Sequence, residues 1–243
     1  MRTSEASLAT LLAIVVALLA VSAAAAQEAT YVGNKLCVMC HAKQKKTWET
    51  TAHAKAKPPD ATPESKWRYT TGSEDGVNCE ACHGPGSAHQ AAPLKEKKQV
   101  VGVKPQELGR AQQFALCARC HSQGTMPNGA KFPEGYKPGG TLPAEYKLTP
   151  EPKNTRLKQW NEMQGSKHIT DEKGATCITC HTAHADIEAK PQLRKPINEL
   201  CGGCHPDQAD IAKHSKGKAK KGDTCATCHM PDHSHNFAKP VPE

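Results

Sequence analysis

The stretch Cys79-Glu-Ala-Cys82-His83-Gly-Pro-Gly-Ser-Ala-His89 decides how this chain must be read. Two cysteines stand one helical turn apart, a histidine follows at once, and a second histidine comes six residues later. The same C-x-x-C-H core recurs at 37–41, 117–121, 177–181, 201–205 and 225–229, so that six copies use all 12 cysteines. A zinc ribbon would complete one tetrahedral site from two C-x-x-C pairs and leave no reason for a histidine after each. A thioredoxin-like motif would occur once, beside a β-α-β pattern that this sequence lacks. A disulfide framework does not require the histidine either. C-x-x-C-H is the attachment signature of haem c, in which the cysteines form thioethers and the adjacent histidine ligates iron from the same side. The expected cofactors are six haem c. Their thioether residues are Cys37, Cys40, Cys79, Cys82, Cys117, Cys120, Cys177, Cys180, Cys201, Cys204, Cys225 and Cys228, and their proximal ligands His41, His83, His121, His181, His205 and His229.

Six of the 13 histidines are thereby used, which leaves His53, His89, His168, His184, His214, His233 and His235 for at most six further axial positions. Aligning the chain on its cysteines shows an internal repeat of motif, intervening histidine, motif and trailing histidine. Three such two-haem units run over about 31–95, 110–190 and 195–240. The segments Trp48-Glu-Thr-Thr51-Ala-His53 and Met163-Gln-Gly-Ser166-Lys-His168 match, with a hydroxyl two residues before the histidine and a bulky apolar residue five before. His89 and His235 each lie six residues after their motif histidine, which favours His235 over His233. His184 follows His181 by three residues, too close to clasp the opposite face of the same porphyrin, and is expected on a different iron. The distal set is therefore His53, His89, His168, His184, His214 and His235. Met126, Met163 and Met230 are the alternatives, because methionine is the other common axial ligand.

Composition points to a chain built around its cofactors. Hydrophobic residues make up 37% of the sequence and phenylalanine occurs three times, so little apolar side-chain surface offsets the entropy of folding. Eighteen prolines and 18 glycines favour loops over long regular elements. The expected fold is mainly α with extensive coil, a loop-rich chain wrapped around a stacked six-haem array, with no significant sheet. Helices are expected across each motif, at 43–55 and at 206–213; the Gly- and Pro-rich stretch 122–152 reads as an ordered loop or docking segment.

Residues 1–26 carry Arg2, an apolar run from Leu8 to Val21 and a small-residue stretch ending at Ala26, the pattern of a secretory signal peptide. The haem-binding domain is then 27–243, and the expected location periplasmic or extracellular. No later stretch is apolar enough to span a bilayer, so no integral membrane segment is expected after signal removal. Removal of the signal leaves the net charge at +8. Six haems would add about twelve propionate charges and about six ferric cores, giving roughly +2 oxidised and −4 reduced. The basic balance therefore does not indicate nucleic acid as a partner. Lysine clusters at 43–46, 95–98 and 216–221 suit an acidic redox protein.

The segments 48–53, 79–89, 177–184 and Cys225-Ala-Thr-Cys-His-Met-Pro through His235-Asn-Phe237 resemble the periplasmic multihaem c-type cytochromes built from paired C-x-x-C-H units in anaerobic respiration. The first half is similar to decahaem cytochromes that sit inside outer-membrane porins, and the haem-binding ends resemble pentahaem donors to nitrite reductase. The resemblance implies an elongated helical-and-coil protein with stacked and T-shaped haem pairs. The implied function is electron transfer between respiratory redox partners through six bis-histidine haems, without catalysis. Two alternatives remain open. One is a reductase of nitrite, hydroxylamine or a sulfur oxyanion with one open haem, although no C-x-x-C-K is present. The other is a self-associating subunit of an extracellular cytochrome filament, which the surplus His233 allows but does not require.

Overall fold

The structure is a computed structural model that describes residues 28–56, 77–152, 157–184 and 192–237. The expected signal peptide at 1–26 lies outside the described residues. Short helices joined by turns make up most of the chain, as its prolines and glycines require. The first part of the chain contains α1 (Asn34–Val38), α2 (Ala42–Trp48), α3 (Cys79–His83) and α4 (Ser87–Ala91). The middle of the chain adds α5 (Arg110–His121), α6 (Gln159–Met163), α7 (Lys167–Thr170) and α8 (Cys177–Cys180). The last part holds α9 (Ile197–Gly202), α10 (Ile211–His214) and α11 (Cys225–His229). Among the described residues the only sheet is one antiparallel pair, β1 (Gly124–Thr125) with β2 (Lys147–Leu148), in which Gly124 faces Leu148. The fold is mainly helix and coil, as expected.

At the second and sixth motifs a helix starts at the first cysteine because the preceding residue caps it. The Asn78 side chain accepts the Ala81 N–H at 2.9 Å, and the Thr224 hydroxyl accepts the Thr227 N–H at 3.3 Å. Such caps satisfy amide groups that the first helical turn leaves without partners. Gly84, at φ +73°, ends α3 in a conformation that side-chain-bearing residues rarely adopt. The helix expected at 43–55 is shorter, stopping at Trp48. Beyond it the Thr50 and Thr51 hydroxyls bond back to the carbonyls of Thr47 and Trp48 at 2.8 and 2.7 Å, offering the backbone an alternative to helix. The stretch 206–213 divides into a tight turn, Pro206–Gln208, followed by α10.

The apolar core is small and centres on α5, the longest helix described. Phe114, Ala115, Leu116 and Ala118 are buried there, and Phe114 meets Trp160 of α6 at 4.7 Å between ring centroids. The stretch 122–152 is ordered around its own aromatic cluster. Phe132 is fully buried between Tyr136 and Tyr146, at 5.4 and 5.2 Å in edge-to-face contact. Ser122 and Tyr146 share a buried hydrogen bond of 2.8 Å between their hydroxyls. This cluster anchors the loop beside α5 and leaves the histidines to a separate cavity.

Candidate haem sites

Two polar contacts repeat between the first and last units and hold their paired motifs together. The side chain of Asn34 accepts the N–H of Cys79, and that of Asn198 accepts the N–H of Cys225, each at 3.0 Å. In both cases the asparagine stands three residues before the first cysteine of the unit, within Asn-Lys-Leu-Cys37 and Asn-Glu-Leu-Cys201. In the middle unit the Gln113 side chain takes this place, accepting the Thr176 hydroxyl at 2.6 Å. These clamps bring first cysteines into contact: the thiols of Cys37 and Cys79, of Cys117 and Cys177, and of Cys201 and Cys225 are hydrogen-bonded. Between units the second cysteines lie near enough for each to feel the other's charge, Cys82 near Cys120 and Cys180 near Cys204. The six motifs thus adjoin one another in their sequence order.

Every motif histidine faces one non-motif histidine. Ring centroids are 6.0 Å apart for His41 and His89, 6.2 Å for His83 and His184, and 6.0 Å for His121 and His53. They are 6.1 Å apart for His181 and His235, 6.1 Å for His205 and His168, and 5.9 Å for His229 and His214. Two metal–imidazole bonds of about 2 Å, with about 1 Å from each nitrogen to its ring centre, predict a separation of about 6 Å for two imidazoles sharing one metal. Six separate pairs within 0.3 Å of one another meet that distance. The structure brings together the whole expected distal set, and Met126, Met163 and Met230 take no place in it. Only the pairs 41–89 and 214–229 stay inside a repeat; the other four cross between repeats.

Second contacts fix which imidazole nitrogen points inward. The His83 Nδ1 donates to the Val103 carbonyl at 2.7 Å, that of His89 to the Lys97 carbonyl at 3.0 Å, and that of His121 to the Gln159 side-chain oxygen at 3.0 Å. Since those oxygens only accept, Nδ1 carries the proton and Nε2 keeps its lone pair for a metal. Burial disfavours the charged form of His83, His168 and His235 and lowers their pKa. At His53 burial, aided by the nearby His121 and His181, lowers it to about 4. A neutral imidazole is the form that ligates. Phe237 stacks edge-on to His168 at 4.4 Å and to His235 at 6.0 Å, packing between two neighbouring pairs.

Three residues at the sites carry no motif signal. Glu80, inside the second motif and 2% exposed, accepts the N–H groups of Val32, Gly33 and Gly86 at 2.8–3.1 Å, pinning the start of the first unit. Arg110, at the start of α5, donates to the carbonyls of His168 and Gly174 and, at 3.1 Å, of Ile169, holding the α7 turn. Glu162 accepts the His235 N–H at 2.9 Å, places a carboxylate oxygen 4.0 Å from the His235 Nδ1, and pairs with Lys158 at 2.6 Å. The two Asn-x-Leu-Cys stretches were the available signal for the clamps. Glu80, Arg110 and Glu162 depend on contacts across 47 residues or more and left none.

The pairs line one cavity of about 3510 Å³ that runs past all six motifs. One sixth of it is about 585 Å³, within the ~300–1,000 Å³ that a single bound cofactor commonly occupies. Among the described residues no three His, Cys, Asp or Glu converge on a bare metal ion. Paired imidazoles, each beside a thiol pair, along a continuous apolar cavity fit haem.

The comparisons with known proteins agree. Residues 170–210 match the family described as the doubled CXXCH motif. The chain is 26% identical over 190 residues to the multihaem cytochrome MtrA of Shewanella baltica, covering 72% of this chain and 54% of that protein. It is 27% identical over 156 residues to cytochrome c-554 of Nitrosomonas europaea, covering 44% and 65%. The chain thus spans between half and two thirds of these relatives. The crystal structure of the outer cell wall cytochrome OcwA superposes with a TM-score of 0.56 at 18% identity, over 85% of this chain and 79% of that one, and so shares the fold. In its motifs and in these matches the chain is similar to the multihaem c-type cytochromes.

Proposed function

We propose that the chain carries six haem c and passes electrons between redox proteins outside the cytoplasm, without catalysing a reaction of its own. One observation carries the reading: each of the six motif histidines has its own non-motif partner at ring-centre distances of 5.9–6.2 Å. His41, His83, His121, His181, His205 and His229 would ligate iron with His89, His184, His53, His235, His168 and His214 respectively. Haem supplies a one-electron ferric–ferrous couple, whose potential the protein tunes. The paired imidazoles would hold each haem iron from both sides and would leave no open position for a substrate. Bis-imidazole ligation also keeps the potential below that of histidine–methionine ligation. The hydrogen-bonded first cysteines, and the nearness of Cys82 to Cys120 and of Cys180 to Cys204, support a path for electrons along the motifs. The signal-like N-terminus supports export, and no helix among the described residues is long and apolar enough to cross a membrane.

The test is a haem count per chain together with electron paramagnetic resonance of the oxidised protein. Six haems with only low-spin ferric signals support the carrier reading. A high-spin component that binds nitrite or hydroxylamine would replace it with a reductase, and filaments in electron micrographs would replace it with an assembly subunit.

A further inference from the structure

Five large apolar side chains stand exposed among the described residues, and all five belong to two short segments. Tyr31, Leu36 and Met39 are 42%, 40% and 76% exposed; Leu94 and Val100 are 83% and 36% exposed. The first group leads into and through the first motif, and the second follows His89. Those segments are 55 residues or more apart from Met39 to Leu94, yet the pairing of His41 with His89 sets them on either side of one site. Soluble surfaces rarely cluster apolar residues this way without a use for them. Leu36 and Leu94 also line the haem cavity and would pack against the cofactor, which leaves Tyr31, Met39 and Val100 as the apolar side chains open to a partner.

The second segment is held in place. Its turns close with the Lys97 N–H on the Pro93 carbonyl at 3.0 Å and the Gln99 N–H on the Glu96 carbonyl at 2.9 Å. The Lys97 ammonium donates to the carbonyls of His89 and Gln90 at 2.8 and 2.6 Å, while its own carbonyl accepts from His89. Leu94 and Val100 are therefore presented by a loop tied to a histidine of the site.

Charge surrounds these apolar residues with one sign. Lys35, Lys43, Lys45, Lys46, Lys95 and Lys98 are exposed on the same two segments and the helix between them, against Glu49 and Glu96. Only Lys45 is paired there, with Glu49 at 3.1 Å. Each of the two histidines of this pair is thus followed in sequence by a lysine run, 43–46 after His41 and 95–98 after His89. The sixth site, at the other end of the motif order, has lysines at 216–221 but no exposed large apolar residue among those described.

We propose that the first site, framed by this apolar cluster and its lysine rim, is the docking face for an acidic redox protein. The inference rests on the carrier reading above and adds which site meets the partner and by what chemistry. An apolar centre with a charged rim is the anatomy of a transient protein interface, in which the rim steers approach and the centre holds contact. A second copy of this chain is the poorer occupant, since it would bring lysines against lysines.

The test titrates the oxidised, haem-loaded protein with an oxidised, acidic plant-type ferredoxin by calorimetry, in low and in physiological salt. Binding is expected to weaken at least tenfold between the two, because the rim charges are exposed to screening. The triple variant K43E/K46E/K98E, and separately Met39→Asp and Val100→Asp, should each lose at least tenfold in affinity. K216E/K218E/K221E should lose less than threefold. Val100 lies outside every motif, so its variant answers the question even if Met39→Asp disturbs haem attachment. The proposal is overturned if the first-site variants stay within threefold of the parent, or if the sixth-site triple matches them. It is also overturned if sedimentation shows that the same residues drive self-association instead. Haem count and spin state are recorded on the same samples. A parent protein with six low-spin haems that does not dock overturns this proposal alone, whereas an open haem in the parent overturns the carrier reading.

Discussion

Replacing Glu162 by glutamine should raise the reduction potential of one haem out of six. The Glu162 carboxylate is nearly buried, at 10% side-chain exposure, and sits 4.0 Å from the His235 Nδ1. His235 in turn faces His181 at 6.1 Å between ring centres. Taken along one line, the carboxylate lies at most about 8 Å from the midpoint of that pair, where at an effective dielectric of ~20 one unit charge is worth about 2 kcal/mol. Lys158, 2.6 Å from the other carboxylate oxygen, offsets part of this field. About 1 kcal/mol remains, which is ~40 mV for a one-electron couple. The sign follows from charge: the carboxylate favours the ferric form, so its removal favours reduction and moves the potential up. Glutamine keeps an oxygen to accept the His235 N–H, so the ring should stay in place. Spectroelectrochemical titration of the haem-loaded variant should show one component shifted up by about 40 mV and the others little changed. Lys158→Met should shift the same component down. A downward shift in Glu162→Gln, no shift, or equal shifts of all six components would refute the reasoning.

Changing His235 to alanine should leave one five-coordinate, high-spin haem, and the same change at His233 should leave all six low-spin; electron paramagnetic resonance separates the two outcomes. A Cβ at Gly102 would stand 2.4 Å from the His83 carbonyl oxygen, which accepts the Val103 N–H at 2.7 Å. Gly102→Ala should therefore cost about 1–3 kcal/mol by forcing these backbones apart, seen as a lower thermal midpoint, and no change in midpoint would show that the loop yields freely. A chain produced without haem should show no cooperative unfolding transition by calorimetry, because the cavity of about 3510 Å³ would have nothing to fill it and the core around Phe114 is small.

The cysteine motifs made the cofactor class legible because covalent chemistry fixes both residue type and spacing. The histidine pairing was open to a related argument: six expected irons would need a definite number of ligands, and the repeat separates surplus from requirement. His235 stands opposite His181, and the matching offset from His89 is the sequence feature that points to it. Which histidine meets which motif was not legible, because four of the six pairs join residues from different repeats and no local pattern encodes such a contact. Glu80 shows the same limit. Its place between two cysteines looks like a solvated helix position, yet it is 2% exposed and binds amides near Val32. The 122–152 stretch looked like a loop from its glycines and prolines. Its order comes from Phe132, Tyr136 and Tyr146, whose irregular spacing follows no helix or strand period.

The crossed pairs bear on whether the three repeats are separable. In a repeat protein whose units contact only their neighbours, stability is close to additive and an end unit can be removed cleanly. Here His83 pairs with His184, 101 residues on, and His181 and His168 both rely on histidines of the last unit. If the pairs clasp haem, each closes a loop, and closing a ~100-residue loop removes about 4.7 kcal/mol of unfolded-state entropy in the cross-link picture. Ending the chain after residue 190 therefore does more than subtract two haems. The pairs 41–89, 83–184 and 121–53 would survive, whereas His181 would lose His235 and His168 would lose its partner. The truncated protein should retain four haems by pyridine haemochrome assay, three of them low-spin and one high-spin and open to exogenous imidazole. Four low-spin haems in that protein would mean that the units close on themselves, and the crossed assignment would have to be abandoned.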